Sequence, residues 1–380
     1  MLKVLWLCSW YPNKVAPFEG DFVQRHAQAA SLYNQIHVIK VTPDPEGKGV
    51  TSVLRENPGY PHLIEEHIYY PKRPGIAGKL RSYFYWYHLY KKAVTRYIST
   101  NGKPDLVHVH IPFKSGLIAQ WIKKKYGIPY VVTEHWGGYN TQVENNYRQR
   151  PFWFRQVIRD TLKNAAAVHS VSRYLGVRLR EWVWPVEYTV IPNVVNTRLF
   201  FAGPPKTGNS FDLLHISTGA SVKNVQGIIN AFLKLDPLVY SLKLLGLTEA
   251  LKAQLRREYP QVLSEGTVSY EQVGEELRKS NALLIFSHAE NSPCVIGEAL
   301  CCGVPVIATD VGGIAELVDA SDGILVTAGD EEGLVAAIER MYADYMYFPD
   351  QLAEKAAERY SYQAIGKQFD EWYRISLSPQ

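Results

Sequence analysis

Glu290 and Glu298 are separated by seven residues and enclose the predicted start of a helix. The segment that carries them, residues 282–317, begins as an apolar run typical of a buried strand, and Glu290 follows in the next loop. Ser292 is the predicted N-cap, and Pro293 is the predicted first helical residue. The unpaired N–H groups of such a helix start can bind a phosphate. Because the two carboxylates can accept hydrogen bonds from sugar and ribose hydroxyls, the pattern suits a sugar nucleotide.

The helix places Glu298 in an apolar setting. Its side chain is expected one turn below Cys294, on the same face of a helix that should stop at Gly303. An unpaired carboxylate is costly to bury, so Glu298 needs a partner. On spacing alone, a second interpretation stays open: a capped helix with one solvated glutamate and one structural glutamate.

Short apolar runs typical of buried strands alternate with helical patterns in both halves of the chain. The predicted strands are Val4–Leu7, Ile36–Val41, Leu106–His110, Tyr130–Thr133, Ala167–Val171, Leu213–Ser217, Leu242–Leu245, Ala282–Phe286, Val304–Ala308 and Ile324–Val326. The predicted helices include Phe22–Ser31, Gly116–Lys125, Val225–Leu235, Tyr270–Lys279 and Glu331–Met341. This alternation indicates an α/β fold with a parallel sheet covered by helices on both faces, and it occurs twice.

The domain boundary is predicted from composition. With 380 residues the chain is long enough for two domains. A stretch rich in Gly, Pro and Ser places a hinge near residues 195–210. We therefore predict domains over residues 1–200 and 201–355, followed by a helix over 356–380. In open sheets of this kind ligands bind at the carboxyl ends of the strands, so the site should lie between the domains.

The charge of the chain is unevenly distributed. Residues 1–200 hold 27 Lys and Arg against 13 Asp and Glu, whereas residues 201–380 hold 14 against 24. A basic first half favours contact with a polyanion or an acidic membrane, and mutual attraction of the two halves is the simpler alternative. The four cysteines form no C-x-x-C pair, which favours a reduced, cytoplasmic protein. The apolar N-terminus lacks a small-residue cleavage site and reads as a buried first strand.

Residues 79–98 predict a helix with an aromatic face and a basic face. The aromatic face comprises Tyr83, Trp86, Tyr87, Tyr90, Val94 and Tyr97, and the basic face comprises Arg81, Lys92 and Arg96. Phe84 and Tyr85 fall off the aromatic face and should be exposed. Packing on the sheet with the basic side in water is the commoner arrangement. Exposed aromatic residues beside basic ones also suit an anionic membrane, which gives the hypothesis of peripheral binding to the inner face of the membrane.

The segment around the glutamate pair resembles the E-x7-E region of family 4 glycosyltransferases. The resemblance extends in order through SWYPNKVAPFEG, PDLVHVH, VVTEHWGG, VHSVSRYL, VIPNVVNTRLF and GVPVIATDVGGIAEL, and so covers nearly the whole chain. It implies the GT-B fold, in which two Rossmann-like, doubly wound parallel-sheet domains face each other across a cleft. It also implies that the helix over 356–380 crosses back to the first domain, and that the enzyme retains the anomeric configuration in transfer from a nucleotide sugar.

The resemblance assigns roles to individual residues. Glu290 would bind hydroxyls of the donor sugar, Glu298 the ribose, and Lys223 the charge that develops on the leaving diphosphate. His135 would face the donor sugar across the cleft. The main-chain amides around Ser292, Pro293, Cys294 and Val295 would hold the diphosphate. Taken by themselves, Lys223 can equally be a solvated residue and His135 a structural one.

Three glycines lie in loops that line the cleft in the family, namely Gly20, Gly312 and Gly313. A glycine lets backbone approach a ligand closely, although each can also belong to an ordinary turn. The chain departs from the family at residues 217–219, where Ser-Thr-Gly replaces the usual Gly-Arg. The missing arginine removes one positive charge from the phosphate site, and Arg173 is our suggested replacement.

No metal or other cofactor is expected. The sequence contains no D-x-D motif, and the pair His108 and His110 lacks a third ligand. The implied mechanism retains the anomeric configuration, and the leaving phosphate takes the proton of the acceptor hydroxyl, so no general base is assigned. Nucleobase contacts are expected from residues 265–273.

The predicted function is hexosyl or N-acetylhexosaminyl transfer to a carbohydrate or lipid-linked acceptor, in assembly of a surface polysaccharide or glycolipid. The open alternatives are a sugar-nucleotide epimerase of the same fold and a non-catalytic subunit that binds nucleotide sugar or lipid. A dinucleotide oxidoreductase is disfavoured because no strand leads into G-x-G-x-x-G. Nucleic acid is not an expected partner, since it would leave the acidic half and the glutamate pair without a role.

Overall fold

The computed structural model describes residues 1–72, 74–204, 210–344 and 348–378. Each predicted run of alternating strands and helices forms its own sheet, so the chain is an α/β protein with two sheets. Part of the predicted hinge, residues 205–209, and the end of the predicted terminal helix, residues 379–380, lie outside the described residues.

The first sheet has eight strands in the order β3-β4-β2-β1-β5-β6-β7-β8. They are β1 Lys3–Cys8, β2 Gln35–Asp44, β3 Thr51–Asn57, β4 Tyr60–Pro71, β5 Leu106–His110, β6 Tyr130–Glu134, β7 Ala167–Ser170 and β8 Tyr188–Val190. The helices of this half are α1 Asp21–Ala30, α2 Gly75–Asn101, α3 Ser115–Tyr126, α4 Phe152–Lys163 and α5 Arg173–Trp182. The central strands are buried apart from Lys3 and carry mostly apolar residues and histidines, as expected for parallel strands covered on both faces.

The second sheet has six strands, all parallel, in the order β11-β10-β9-β12-β13-β14. They are β9 Phe211–Ile216, β10 Tyr240–Leu245, β11 Leu263–Ser264, β12 Ala282–Ile285, β13 Val306–Thr309 and β14 Gly323–Val326. The helices that follow are α6 Val225–Phe232, α7 Glu249–Glu258, α8 Tyr270–Lys279, α9 Cys294–Cys301, α10 Glu331–Ala343, α11 Pro349–Tyr360 and α12 Tyr362–Leu377. Sequential strands lie on both sides of β9, which is the doubly wound arrangement.

One edge of the first sheet differs from the prediction of a purely parallel sheet. β3 pairs antiparallel with β4, and a tight turn at Pro58 and Gly59 joins the two strands. Six of the seven residues of β3 are exposed, so this edge strand has no apolar run by which it can be recognised in the sequence.

Helix α2 buries most of its predicted aromatic face. Trp86, Tyr90 and Tyr97 lie in the core of the first half. Tyr83 of the same face is 36% exposed, and its ring stacks on Trp86. Phe84, by contrast, is exposed, as predicted.

The last helix, α12, returns to the first half of the chain and packs along α1. Phe369, Trp372 and Tyr373 are buried there beside Trp6 of β1. Large buried aromatic side chains contribute about 1.5–3 kcal/mol each, so this contact ties the two halves together at the back of the cleft.

Candidate active site

Lys223 and Glu290 form an ion pair at the carboxyl edge of the second sheet. Lys223 ends the 3₁₀ turn Ser221–Lys223 after β9, and its Nζ donates a hydrogen bond to Glu290 Oε1 at 2.6 Å. The hydroxyl of Ser287 donates to the same oxygen at 2.8 Å. The carboxylate is almost buried, whereas the ammonium group is partly open to solvent. The structure therefore brings together two of the three predicted catalytic residues.

The helix start between the two glutamates differs by one residue from the prediction. α9 begins at Cys294, and Pro293 rather than Ser292 is the N-cap, with extended backbone and no side-chain cap. The reason is that Ser292 stays in the loop, where its carbonyl oxygen accepts a hydrogen bond from Asn193 Nδ2 at 2.9 Å. Gly303 follows the helix with a φ of 72°, as expected for its C-terminal stop. Pro293 has no N–H group, but the main-chain N–H groups of Cys294 and Val295 at this helix start have no partner within the helix.

Glu298 is buried, and its partner comes from the opposite half of the chain. Arg25 on α1 donates from Nη1 to Glu298 Oε1 at 2.6 Å. Burial raises the pKa of the Glu298 carboxyl, and the nearby guanidinium opposes that shift. The sequence shows that Glu298 needs a partner. It carries no signal for which of the many cations supplies it, because Arg25 is 273 residues away.

Arg25 belongs to a small polar cluster in the cleft. Its Nη2 lies 3.2 Å from Asp21 Oδ2, one turn earlier on α1. The hydroxyl of Tyr270, from the region expected to contact the nucleobase, donates to the same Asp21 oxygen. The guanidinium carbon lies 5.1 Å from the centroid of the Tyr270 ring. α1 therefore contacts both α8 and α9 across the cleft.

Gly312 and Gly313 allow the loop after β13 to pack tightly on the glutamate loop. Gly312 has a φ of 61°, and a Cβ there would lie 1.8 Å from the carbonyl oxygen of Glu290. A Cβ on Gly313 would lie 2.1 Å from the Asn291 oxygen and 2.8 Å from Cβ of Ser172 in the first half. Both glycines are therefore explained by close backbone contacts that fix the Glu290 loop.

Gly20 precedes α1 with a φ of 67°, and a Cβ there would lie 2.7 Å from Cβ of Trp10. Its conformation thus lets the first loop fold under Trp10.

Arg173 begins α5, and its main-chain N–H donates to Glu316 Oε2 at 2.5 Å. Tyr174 N donates to the other oxygen of Glu316 at 2.7 Å. The carboxylate of Glu316 therefore occupies the start of α5 from across the cleft.

His135 lies where the loops of the two halves meet. Its carbonyl oxygen accepts a hydrogen bond from Asn291 Nδ2, in the glutamate loop, at 3.2 Å. The ring Nε2 lies 3.3 Å from His110 Nδ1, and the residue is 8% exposed. Burial lowers the pKa of His135, and nearby His26 and His110 lower it further, so the imidazole is neutral at pH 7.

A buried hydrogen-bonded chain behind His135 was not predicted. Tyr373 OH lies 2.7 Å from His108 Nδ1, and Thr133 Oγ1 lies 2.6 Å from His108 Nε2 and 2.7 Å from His169 Nδ1. His169 Nε2 lies 2.7 Å from the Ile191 carbonyl oxygen, which can only accept. Each link then has one direction, from Tyr373 through His108, Thr133 and His169 to Ile191, and every imidazole in it is neutral.

The pair His108 and His110 is packed in this core, as expected. In the described parts of the chain, no group of three or more His, Cys, Asp or Glu side chains is placed to hold a metal ion. The sequence shows the pair on β5, but the partners His26, His169 and Tyr373 come from other elements and carry no local signal.

Exposed aromatic side chains lie on the basic half of the protein. Phe84 and Tyr85 of α2 are exposed, as predicted. Phe152 and Trp153 at the start of α4 form a second exposed pair, which was not predicted from the sequence. Trp153 contacts Phe113 of the β5–α3 loop, and the neighbouring Lys114 of that loop lies over Trp86 of α2. Among the described helices, none has the length and apolarity to cross a membrane.

Comparison with known proteins covers both halves of the chain. Residues 30–199 match the model of Glycosyltransferase Family 4, and residues 210–344 match the model described as Glycosyl transferases group 1. A putative teichuronic acid biosynthesis glycosyltransferase of Bacillus subtilis is 24% identical over 97% of this chain and 95% of its own length.

Two solved structures resemble the whole fold. Sucrose-phosphate synthase from Thermosynechococcus elongatus superposes with a TM-score of 0.77 at 21% identity, over 98% of each chain. HepE from Anabaena, solved in complex with UDP, superposes with a TM-score of 0.70 at 18% identity, over 98% of this chain and 100% of its own. These likenesses confirm the predicted GT-B fold.

Proposed function

Since this chain belongs to the group 1 glycosyltransferases of family 4, we propose that it is a retaining enzyme that transfers a sugar from a nucleotide sugar to a hydroxyl acceptor. The proposed product belongs to a cell-surface polysaccharide or glycolipid. The observation that carries the proposal is the ion pair of Lys223 with Glu290, which lies beside the free N–H groups at the start of α9. The donor is bound as a substrate, and we propose that neither a metal nor another cofactor is required.

Lys223 has the position and charge to stabilise the leaving diphosphate. Its side chain is 29% exposed, so it can reach a ligand while keeping contact with Glu290. A cation acts most strongly where negative charge develops during the reaction, and the helix start adds N–H donors for the same phosphates. We propose that the acceptor hydroxyl attacks the anomeric carbon on the face from which the diphosphate leaves. The leaving phosphate oxygen takes the proton of that hydroxyl, and the anomeric configuration of the donor is retained.

Glu290 has the position to hold hydroxyls of the donor sugar. Its Oε1 is held by Lys223 and Ser287, while the close approach of Gly312 fixes the loop from behind. A rigid carboxylate lowers the entropic cost of aligning the sugar for transfer. His135, neutral and packed against the glutamate loop, is proposed to complete the sugar site from the opposite half. Gly20 is proposed to keep the first loop close to the same cleft.

Two findings support the donor and product class. HepE, whose fold is shared, was solved with UDP, so a uridine nucleotide is the first donor to test. The Bacillus subtilis relative is described as acting in teichuronic acid biosynthesis, which supports a surface polysaccharide as the product. The hexosyl or N-acetylhexosaminyl group and the acceptor, carbohydrate or lipid-linked, remain part of the proposal.

Peripheral binding to an anionic membrane is proposed for the first half. The first half combines an excess of Lys and Arg with two exposed aromatic pairs, Phe84 with Tyr85 and Phe152 with Trp153. Aromatic side chains can insert at the headgroup level while basic ones attract anionic lipid. Such binding would bring the cleft close to a lipid-linked acceptor.

The function is tested by incubating the protein in EDTA with a panel of nucleotide sugars and with lipid-linked or oligosaccharide acceptors. We expect release of a nucleoside diphosphate that depends on the acceptor, and a glycoside with the donor's anomeric configuration by NMR. Conversion of the donor without any acceptor would support the epimerase alternative. Binding without turnover across the panel would support the non-catalytic subunit.

A further inference from the structure

Arg25 is a buried cation with unused hydrogen-bonding capacity. Its side chain is 10% exposed. Nη1 donates to Glu298 and Nη2 donates to Asp21, but Nε has no hydrogen-bond partner. A buried guanidinium N–H without a partner is unfavourable, and such groups usually mark a missing ligand or water.

The guanidinium of Arg25 lies among the three segments proposed to hold the nucleotide. It pairs with Glu298, the proposed ribose ligand, and stacks near Tyr270, in the region proposed for the nucleobase. Glu298 also lies one turn after Cys294 on α9, whose start is the proposed diphosphate site. A nucleotide in this site must therefore meet Arg25 directly.

The charges of the site require a second cation when a diphosphate is bound. The three carboxylates of Asp21, Glu290 and Glu298 already outnumber the two cations, Lys223 and Arg25. A diphosphate adds at least two negative charges to this set, and residues 217–219 supply no arginine. Arg173, the replacement suggested by the sequence, is exposed at the start of α5, where its backbone is engaged by Glu316.

We propose that Arg25 is a donor-binding residue that changes partners. In the nucleotide-free protein it pairs with Glu298, and in the complex it binds the donor's diphosphate from across the cleft, which releases the Glu298 carboxylate to the ribose hydroxyls. Arg25 thereby takes the place of the arginine that is missing after β9. This inference rests on the proposed function, because it requires a nucleotide at the start of α9.

The test compares a nucleoside diphosphate with its nucleoside, since only the first carries phosphates. Arg25→Gln, Arg25→Lys and the control Arg178→Gln, at a partly exposed position of α5, are titrated by calorimetry in EDTA with UDP, ADP and GDP, and with the matching nucleosides. We expect Arg25→Gln to bind the diphosphate at least tenfold more weakly while binding the nucleoside no more weakly than wild type. Arg25→Lys keeps the charge and should lose less affinity for the diphosphate than Arg25→Gln. Arg178→Gln should bind all ligands with wild-type affinity.

Other outcomes overturn the inference. An equal loss for diphosphate and nucleoside would mean that Arg25 only supports the fold. Unchanged or tighter diphosphate binding would mean that Arg25 only blocks the site. If Arg25→Gln fails to fold, the same comparison with Arg25→Lys decides, because a diphosphate-selective loss is then expected and an unselective one contradicts it. If wild type binds none of the three nucleotides, the proposed function itself fails.

Discussion

Lys223 Nζ and Glu290 Oε1 lie 2.6 Å apart although 67 residues separate them in the chain. The contact joins the loop after β9 to the loop after β12, the adjacent strand of the second sheet. His288 N also donates to the Val222 carbonyl oxygen at 2.7 Å, so backbone and side chains hold the two loops together. The pair is thus built into the sheet edge and is ready before any ligand arrives.

Replacing Glu290 by Gln should reduce turnover at least about 100-fold, since a lost charged contact to the reacting sugar costs about 3 kcal/mol. Lys223→Ala should reduce turnover by about as much. The loss of activation free energy in the double variant should be smaller than the sum of the two single losses, because the groups act together. The measurement is the transfer rate at saturating donor. Glu258→Gln, on exposed α7, is the matched control and should keep the wild-type rate.

Gly312→Ala should displace the Glu290 loop. The new Cβ would lie 1.8 Å from the Glu290 oxygen, and a φ of 61° adds strain for any other residue. Gly329→Ala is the matched control, because Gly329 has a φ of 79° but no atom within 4 Å of the added Cβ. We expect turnover to fall at least tenfold for Gly312→Ala only. Equal turnover in both variants would contradict the positioning role of Gly312.

The sequence predicts the two-sheet architecture and the central part of the site. Buried parallel strands are recognisable as continuous apolar runs, and the helix start near Glu290 has local signals in Pro293 and Gly303. The strand β3 could not be predicted from the sequence, because an exposed edge strand needs no apolar pattern. The partner of Glu298 could not be predicted either, because the contact with Arg25 depends on how the two halves of the chain pack against each other.

The neutral histidines should make the protein less stable in acid. Burial lowers the pKa of His169 and of His215 to about 4, against an ordinary value of 6.5. The unfolded state therefore binds more protons below pH 6.5, and stability falls as the pH drops from 6.5 towards 4. Each group should reduce the free energy of unfolding by about 2 kcal/mol between pH 8 and pH 5.

Urea unfolding of wild type and His169→Gln at both pH values checks this. His169→Gln should be less stable at pH 8, because Thr133 and the Ile191 carbonyl lose good partners. Its free energy of unfolding should nevertheless fall by about 2 kcal/mol less than that of wild type between pH 8 and pH 5. An unchanged pH dependence would show that His169 binds the same number of protons in the folded and unfolded states, which contradicts a lowered pKa.

Glu316 should stabilise the closed cleft. Its carboxylate accepts hydrogen bonds from the main chain of Arg173 and Tyr174 at the positive start of α5. Glu316→Gln should weaken this contact by about 1–2 kcal/mol and favour an open cleft. Small-angle scattering should then give a larger radius of gyration than for wild type. Glu332→Gln, at an exposed ion pair of α10, should leave the radius unchanged.

The exposed aromatic residues should anchor the protein to anionic vesicles. Changing Phe152 and Trp153 to Ser should reduce co-sedimentation with vesicles of phosphatidylglycerol and phosphatidylcholine at least fivefold, because the inserted apolar area is lost. Phe348→Ser, equally exposed but in the other half, should change it little. Wild-type binding that is the same on pure phosphatidylcholine would remove the membrane proposal.

The most direct test of the donor site is recognition of the ribose hydroxyls by Glu298. Wild type and Glu298→Ala are titrated in EDTA with the preferred nucleoside diphosphate and with its 2′,3′-dideoxy analogue. We predict that wild type prefers the natural nucleotide at least tenfold, since a charged hydrogen bond contributes about 1.5–3 kcal/mol, and that Glu298→Ala binds both alike. A wild-type protein without this preference, or a Glu298→Ala variant that keeps it, would contradict a nucleotide bound at the start of α9.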